Sequence, residues 1–267
     1  MRTRSLVSRR TALLVASMLL FVRTASADDI RVMTSGAFTA AYLELLPQVE
    51  RSIKAKVVTA ATSMGTGSNS IPSRLERGEV VDVVIVADDA LGQLIKDGRV
   101  LANSRVALAR SSIGMAVRAG APKPDISSLD ALTRTLLQAK SIAYSASVSG
   151  VYLSTELFQR LGIADQVLGK SRKIDRERVG AVVARGEAEI GFQQISELLA
   201  EPGIDYVGPL PPEVQRVTVF SAGVAASSKN ADAARALIRF LASSEAVGTI
   251  EGSGLEPMMP KALNSPR

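Results

Sequence analysis

Between residues 30 and 98 the hydrophobic positions switch repeatedly between runs of strand length and helical spacing. Ile30–Thr34 reads as a strand and Ala37–Ser52 as an amphipathic helix whose apolar positions are Phe38, Leu43, Leu45, Leu46 and Val49. Lys56–Ala61 is a second strand, and Ile71–Arg77 a short helix. "VVDVVIVAD" (80–88) is a continuous apolar run, the pattern of a parallel strand covered on both faces. Asp89–Lys96 follows as a helix stopped at Gly98. This βαβαβα order implies an open, mostly parallel sheet with right-handed crossovers.

The pattern then restarts. "VALAR" and "IGMAV", within Arg105–Arg118, are two strand-like pieces, and Ser127–Gln138 is a helix with Ser127 or Ser128 as its cap. Ser141–Ser145 reads as a strand, Val151–Leu161 and Asp175–Ala184 as helices, and "GEAEIGFQQ" (186–194) as a turn feeding a short strand. After the proline-rich "GPLPPEV" (208–214) come a strand at Val217–Val224 and helices at Asp232–Ala242 and Ser244–Ile250. A chain that opens one α/β unit, builds a second, and ends on an apolar strand and helices predicts two lobes. The first, 28–107 and 222–267, is interrupted by the second, 108–221. The chain crosses between them twice, near 105–112 and 217–223, and so makes a two-stranded hinge. Ligands of such folds sit between the lobes, at the carboxyl ends of strands.

The first 27 residues differ from the rest. Arg2, Arg4, Arg9 and Arg10 precede an apolar run from Ala12 to Val22, and Ala25-Ser26-Ala27 fits a cleavage site. That is the pattern of a secretory signal peptide, too short for a membrane anchor. "SRRT" (8–11) partly matches a twin-arginine signal. Of the 32 Lys and Arg, five lie in this segment and no acid does, which leaves 27 bases against 26 acids in the mature chain. The net charge of +6 is therefore mostly the segment's, and gives no reason to expect nucleic acid as a partner. The chain has no Cys and no His. Disulfides, zinc–thiolate sites, thiolate nucleophiles, Ser-His-Asp catalysis and His-ligated metals are excluded by composition. No cofactor or metal is expected, and an exported chain without a lipid-bearing cysteine points to a Gram-negative periplasm.

Three segments repeat one grammar, strand then Ser/Gly then helix: "TSGAF" (34–38), "SMGTGSNSIPS" (63–73) and "YSASVSGVY" (144–152). Hydroxyls and free backbone N–H groups gather there at helix starts, where the dipole favours negative charge by about 0.3–1 kcal/mol. Each alone could be a helix cap. Three at successive strand ends, divided between two lobes, point to an anion site. "GTGSNS" is no phosphate loop, since no Lys follows Gly67, and no dinucleotide fingerprint, since Ser70 stands where a third glycine would be needed. Gln193 and Gln194 end a predicted strand as ligand amides or exposed loop residues. Tyr152 offers a phenol to a ligand or packs. Arg118 stands as a carboxylate partner or a solvated charge, and Met258-Met259 as core or tail.

"IRVMTSGAFTAAYLELLPQVE", "SRLERGEVVDVVIVADDALGQLIKDGRV", "ALARSSIGMAVRAG" and "GEAEIGFQQISELL" resemble, in order and over about 30–257, the molybdate-binding branch of periplasmic solute-binding proteins. The resemblance implies the type II periplasmic-binding fold, usually monomeric, and delivery of a small anion to an ABC permease. It also implies an oxyanion held by neutral donors. Those carry over to Ser35 and Gly36 in the first turn and Ser68, Asn69 and Ser70 in the second. In the second lobe they are Ser149, Gly150, Val151 and Tyr152, with Gln193 nearby. The chain departs from that branch where Thr-Ser-Gly replaces its Ala-Ala-Ser turn, and where "GFQQ" stands at the place of its later Tyr. Its glycine-opened second loop (Gly65, Gly67) implies a cleft shaped for something other than a compact tetrahedral oxyanion.

This divergent branch also resembles periplasmic aconitate isomerases, which move a proton across an allylic carboxylate. Such chemistry requires a base beside the carbon acid and donors for the developing enolate. With no imidazole available, Tyr152 and Glu156 are the candidate catalytic groups. Two functions therefore stand side by side: capture of a small anion, oxyanion or carboxylate, for an importer, and cofactor-independent isomerisation of an unsaturated tricarboxylate.

Overall fold

A computed structural model describes residues 29–34, 36–61, 68–175 and 177–258. The expected signal segment, Ser35, Gly65, Gly67 and Met259 lie outside the described residues.

The chain starts with β1 (Ile30–Thr34), a 3-10 turn (Gly36–Phe38), α1 (Thr39–Ile53), β2 (Val57–Ala61), α2 (Ile71–Glu76), β3 (Val83–Ala87) and α3 (Asp88–Lys96). β1 pairs in parallel with both β2 and β3. β3 is buried at all five positions, and its alternation assigns the two faces to two cores. Val83 and Ile85 face α1 and the later α10, while Val84 and Val86 pack with Ile71, Leu75 and Leu91 from α2 and α3. This two-sided burial is the physical reason Val83–Ala87 is uninterruptedly apolar.

After β4 (Val106–Ser111) a single residue, Ser112, leads into β5 (Ile113–Arg118) and the second sheet. That sheet is built with α4 (Leu129–Gln138), β6 (Ile142–Ser145), α5 (Val148–Tyr152), a π-helical stretch (Leu153–Leu157), α6 (Phe158–Arg160), α7 (Ala164–Val167), β7 (Ser171–Ile174), α8 (Val179–Ala184), β8 (Ile190–Gln194), α9 (Ile195–Leu199) and β9 (Ile204–Pro209). The chain then returns through β10 (Thr218–Val224), α10 (Ala231–Leu241), α11 (Val247–Gly252) and β11 (Glu256–Pro257).

The strand orders are β11-β4-β10-β3-β1-β2 and β7-β6-β8-β5-β9. Both sheets are mixed. In the first, β10 is antiparallel to β3 and to β4, and β11 to β4. In the second, β5 is antiparallel to β8 and β9, while β6 is parallel to β7 and β8. The expectation of mostly parallel sheets holds for the three-strand groups β2-β1-β3 and β7-β6-β8. Of the strands in antiparallel pairs, β4, β5, β9 and β10 flank the two crossings, and β11 adds to the first sheet beside β4.

By sheet membership the crossings lie at residue 112 and within 210–217, and the expected boundaries at 107/108 and 221/222 fall inside β4 and β10. Two glutamines fasten this neck. Gln215 accepts from Ile113 N–H at 2.8 Å and donates back to Ile113 O at 2.9 Å. Gln194, with its oxygen accepting from Thr218 Oγ1 at 3.2 Å, donates to Ser111 Oγ at 2.7 Å and Ser112 O at 3.2 Å. It is not an exposed loop glutamine; it is buried in β8.

Candidate functional site

The turn after β1 and the end of β8 meet across α9. Ile195 begins that helix directly after β8, and Ser196 Oγ donates to Ala37 O at 2.8 Å, joining the second sheet's helix to the turn after β1. On the other side of α9, a side chain on Gly254 would run into Leu199 and Ile195. The turn itself begins at Gly36, whose φ of +63° lies in the left-handed region that glycine adopts without penalty. A Cβ there would be 3.5 Å from Phe220 and 3.9 Å from Glu197 Oε2. A carboxyl oxygen of one sheet's helix thus faces the donor turn of the other.

Glu197 did not stand out in the sequence, and it is the most perturbed acid at this junction. Gln193 fixes it. Oε1 of Gln193 accepts the free N–H of Val179 at 3.0 Å, at the start of α8, so its amide nitrogen is left to donate, to Glu197 Oε1 at 2.9 Å. Crowding by protein pushes the Glu197 carboxyl up to about 7; the Arg178 charge and the Gln193 hydrogen bond pull the other way without cancelling it. The residue nevertheless keeps part of its surface open to solvent. Arg178 is itself half-exposed and reaches Glu201 only at 3.6 Å. The available sequence signal was position: an acid in the first turn of a helix that begins directly where a buried strand ends.

The other expected residues divide. Ser149 and Gly150 are buried in the first turns of α5, which starts at Val148, earlier than the spacing predicted. Ser149 Oγ shares hydrogen bonds with Ser145 Oγ at 3.0 Å and Ser147 Oγ at 3.5 Å. A Cβ on Gly150 would fall 1.7 Å from Ser145 O, so α5 lies against the end of β6 as no other residue would allow. Val151 is exposed.

Ser70 is buried and caps α2, accepting from Ser73 N–H at 3.3 Å, so the capping alternative describes its hydroxyl. Ser68 and Asn69 lie in an exposed turn before it. Gln193 is not a free ligand amide, since both of its polar atoms are engaged.

Neither proposed catalytic group is available as expected. The Tyr152 phenol donates to Val214 O at 2.7 Å and the Arg216 guanidinium lies 4.5 Å over its ring, so the side chain secures the return crossing. Glu156 is exposed and ion-paired with Arg216. Arg118 is at the opposite end of β5 from the junction, because β5 runs against β8 and Ile113, not Arg118, pairs with Gln194. A cavity of about 400 Å³ lined by Lys123–Ser127 and Val207–Pro212 contains none of the expected ligand residues. Among the described residues no cluster of three or more acids is placed to hold a metal, and no helix is long and apolar enough to cross a membrane.

The family described as bacterial extracellular solute-binding protein matches residues 30–256. An aconitate isomerase from a Pseudomonas species is 48% identical over 230 residues, covering 86% of this chain and 88% of that relative. The molybdate-binding protein ModA of Azotobacter vinelandii is 24% identical over 241 residues, 86% of this chain and 90% of its own. Among solved structures, the periplasmic molybdate-binding protein of Azotobacter vinelandii aligns with a TM-score of 0.66 at 20% identity, covering 87% and 100% of the two chains. Peb3 from Campylobacter jejuni aligns with a TM-score of 0.64 at 14% identity, covering 85% and 99%. At these identities the solved structures bear on the fold, which is the type II periplasmic binding architecture.

Proposed function

The chain belongs to the bacterial extracellular solute-binding protein family, and from that premise we propose that it is an exported, periplasmic isomerase that shifts a proton within an unsaturated tricarboxylate of the aconitate type. The observation that carries this reading is the Glu197 carboxyl, poised near neutrality and facing the Gly36 turn. Capture of an anion by neutral donors requires no proton-exchanging group at that place. A proton-transfer site needs such a group, with a pKa close to the working pH. The 48% identical relative named aconitate isomerase supports the same conclusion.

The rest of the junction suits a polyanionic substrate. Backbone N–H groups after Gly36 supply neutral donors, Arg178 supplies a half-exposed cation for one carboxylate, and the Ser145, Ser147 and Ser149 hydroxyls, which bond to one another at the end of β6, are the second sheet's candidate donors. Reaction between two halves that meet across α9 would keep water from the carbanion-like intermediate.

Family membership favours a second reading, in which the same site captures a small anion for an ABC permease. One tube separates the two. The mature protein is mixed with cis- or trans-aconitate and followed by proton NMR, with molybdate, tungstate, sulfate and citrate in parallel thermal-unfolding runs. Interconversion of the aconitates is the expected result. Stabilisation without interconversion, about 2.7 kcal/mol at a ligand concentration 100 times Kd, would replace the isomerase with a capture protein.

A further inference from the structure

On the footing of the isomerase reading, we propose that Glu197 Oε2 is the single base that lifts the migrating proton and returns it, and that Gln193 is the positioning residue that assigns this task to one oxygen.

The assignment follows from a chain of donors. Val179 N–H opens α8 with no capping side chain of its own, and it requires an acceptor because it is buried. Gln193 provides its oxygen, which turns the amide nitrogen toward Glu197 Oε1. Oε1 is thereby an acceptor in both protonation states, and a proton on the carboxyl resides on Oε2. Oε2 is the oxygen that faces across to Gly36, where the other half of the molecule begins. No His or Cys exists in the chain to share the work, the Tyr152 phenol is committed to Val214 O, and Glu156 is paired with Arg216 at the surface.

The step balances without a co-reactant. The C–H bond of the substrate methylene breaks; its electron pair enters the adjoining C=C–carboxylate system and its proton forms an O–H bond on Oε2. The O–H bond then breaks as the proton joins the carbon at the far end of the three-carbon unit, and the double bond finishes one place along. Nothing is oxidised, reduced, hydrated or dehydrated.

The charges around the base are few. Arg178 stands at the start of α8, with Glu201 beside it at 3.6 Å. The turn Gly36–Phe38 and strand β8 carry no charged residue, and in β5 the charged residue is Arg118, at the far end. In β9, Asp205 is occupied by Gly120 N–H at 2.9 Å and the Tyr206 phenol is pushed up by burial. The activity of the free enzyme should therefore rise with pH through about 7 as Glu197 ionises. Gln193→Leu removes a hydrogen bond that favours the carboxylate, so that rise moves to higher pH, a change that a merely structural glutamine would not produce.

The experiment compares wild type, Glu197→Gln, Glu197→Asp and Gln193→Leu by proton NMR of aconitate interconversion, kcat and KM against pH, and aconitate-induced thermal stabilisation. Glu197→Gln is expected to lower kcat by about 10²–10⁴-fold while aconitate still stabilises the protein. Interconversion by Glu197→Gln within tenfold of wild type overturns the assignment alone. So does loss of ligand stabilisation together with turnover, which would make Glu197 a binding group. If Glu197→Gln does not fold, Glu197→Asp, whose carboxyl is one methylene short, carries the test: a fall in kcat of tenfold or more at unchanged KM supports the base and an unchanged kcat overturns it. A pH profile unmoved in Gln193→Leu removes Gln193 from the proposal. Wild type that leaves both aconitates unchanged overturns the isomerase reading, and this assignment with it.

Discussion

At the scale of single residues, side-chain type was legible and partner was not. Ser70 is a hydroxyl at a helix start, a position that suits an anion or a cap alike, and its oxygen accepts the Ser73 N–H of its own helix. Tyr152 could face a ligand, yet its phenol finds Val214 O, 62 residues along the chain. Glu197 shows the converse. Nothing in "ISELL" separates it from a surface acid; its raised pKa comes from burial, which Arg178 and Gln193 oppose without cancelling, and its place opposite Gly36 is hidden by sequence distance. A prediction belongs to this residue alone. Its folded pKa of about 7 lies above an unfolded value near 4.5. The stability it contributes is therefore complete below about pH 4.5 and is lost as pH rises through 7. Glu197→Gln has no such dependence. Measured by urea unfolding, the variant should gain on wild type by on the order of 3 kcal/mol between pH 4.5 and pH 8. An equal difference at both pH values would mean that the carboxyl is not desolvated.

At the scale of elements, the strand buried on both faces declared itself, and so did the edge strand β2, whereas two edge strands of the second sheet did not. β3 is buried throughout, and its apolar run gave it away; β8 is buried as well, although it ends in two glutamines. β7 reads "SRKI" with two exposed positions, and β9 reads "IDYVGP" with no fully buried one; both are edge strands, whose polar, solvated side carries no apolar pattern. α9, five residues long, is too short for helical periodicity to register. It is also the element that joins the two halves. Ser196→Ala removes the hydrogen bond to Ala37 O and should cost about 0.5–1.5 kcal/mol in urea unfolding. It should also weaken aconitate-induced stabilisation, because the Gly36 turn and Glu197 lose a shared anchor. Unaltered stability and unaltered ligand response together would count against α9 as the joint.

At the scale of the whole molecule, each sheet has its own interior. Leu237 is buried with α1 and the first sheet, and Leu132 with α4 and the second. Leu237→Ala and Leu132→Ala should each cost about 2–5 kcal/mol. The double variant should equal their sum within about 0.5 kcal/mol, since the two sites share no partner in either core. A larger departure, read from the same chemical unfolding, would show that the neck at Gln194 and Gln215 transmits strain between the cores.

The sequence by itself determined the α/β class and the interruption of one unit by another. Burial on two faces and helical amphipathicity are local demands that the chain must satisfy residue by residue, so they are written in its pattern. It also determined, through the absence of His and Cys, that any proton transfer falls to an oxygen acid or a lysine. Only the tertiary structure decided which acid faces the opposing turn, which glutamine holds it and which hydroxyls cap their own helices. Those outcomes depend on hydrogen bonds and desolvation between residues far apart in sequence, and the free energy of such a contact exists only once the chain has brought them together.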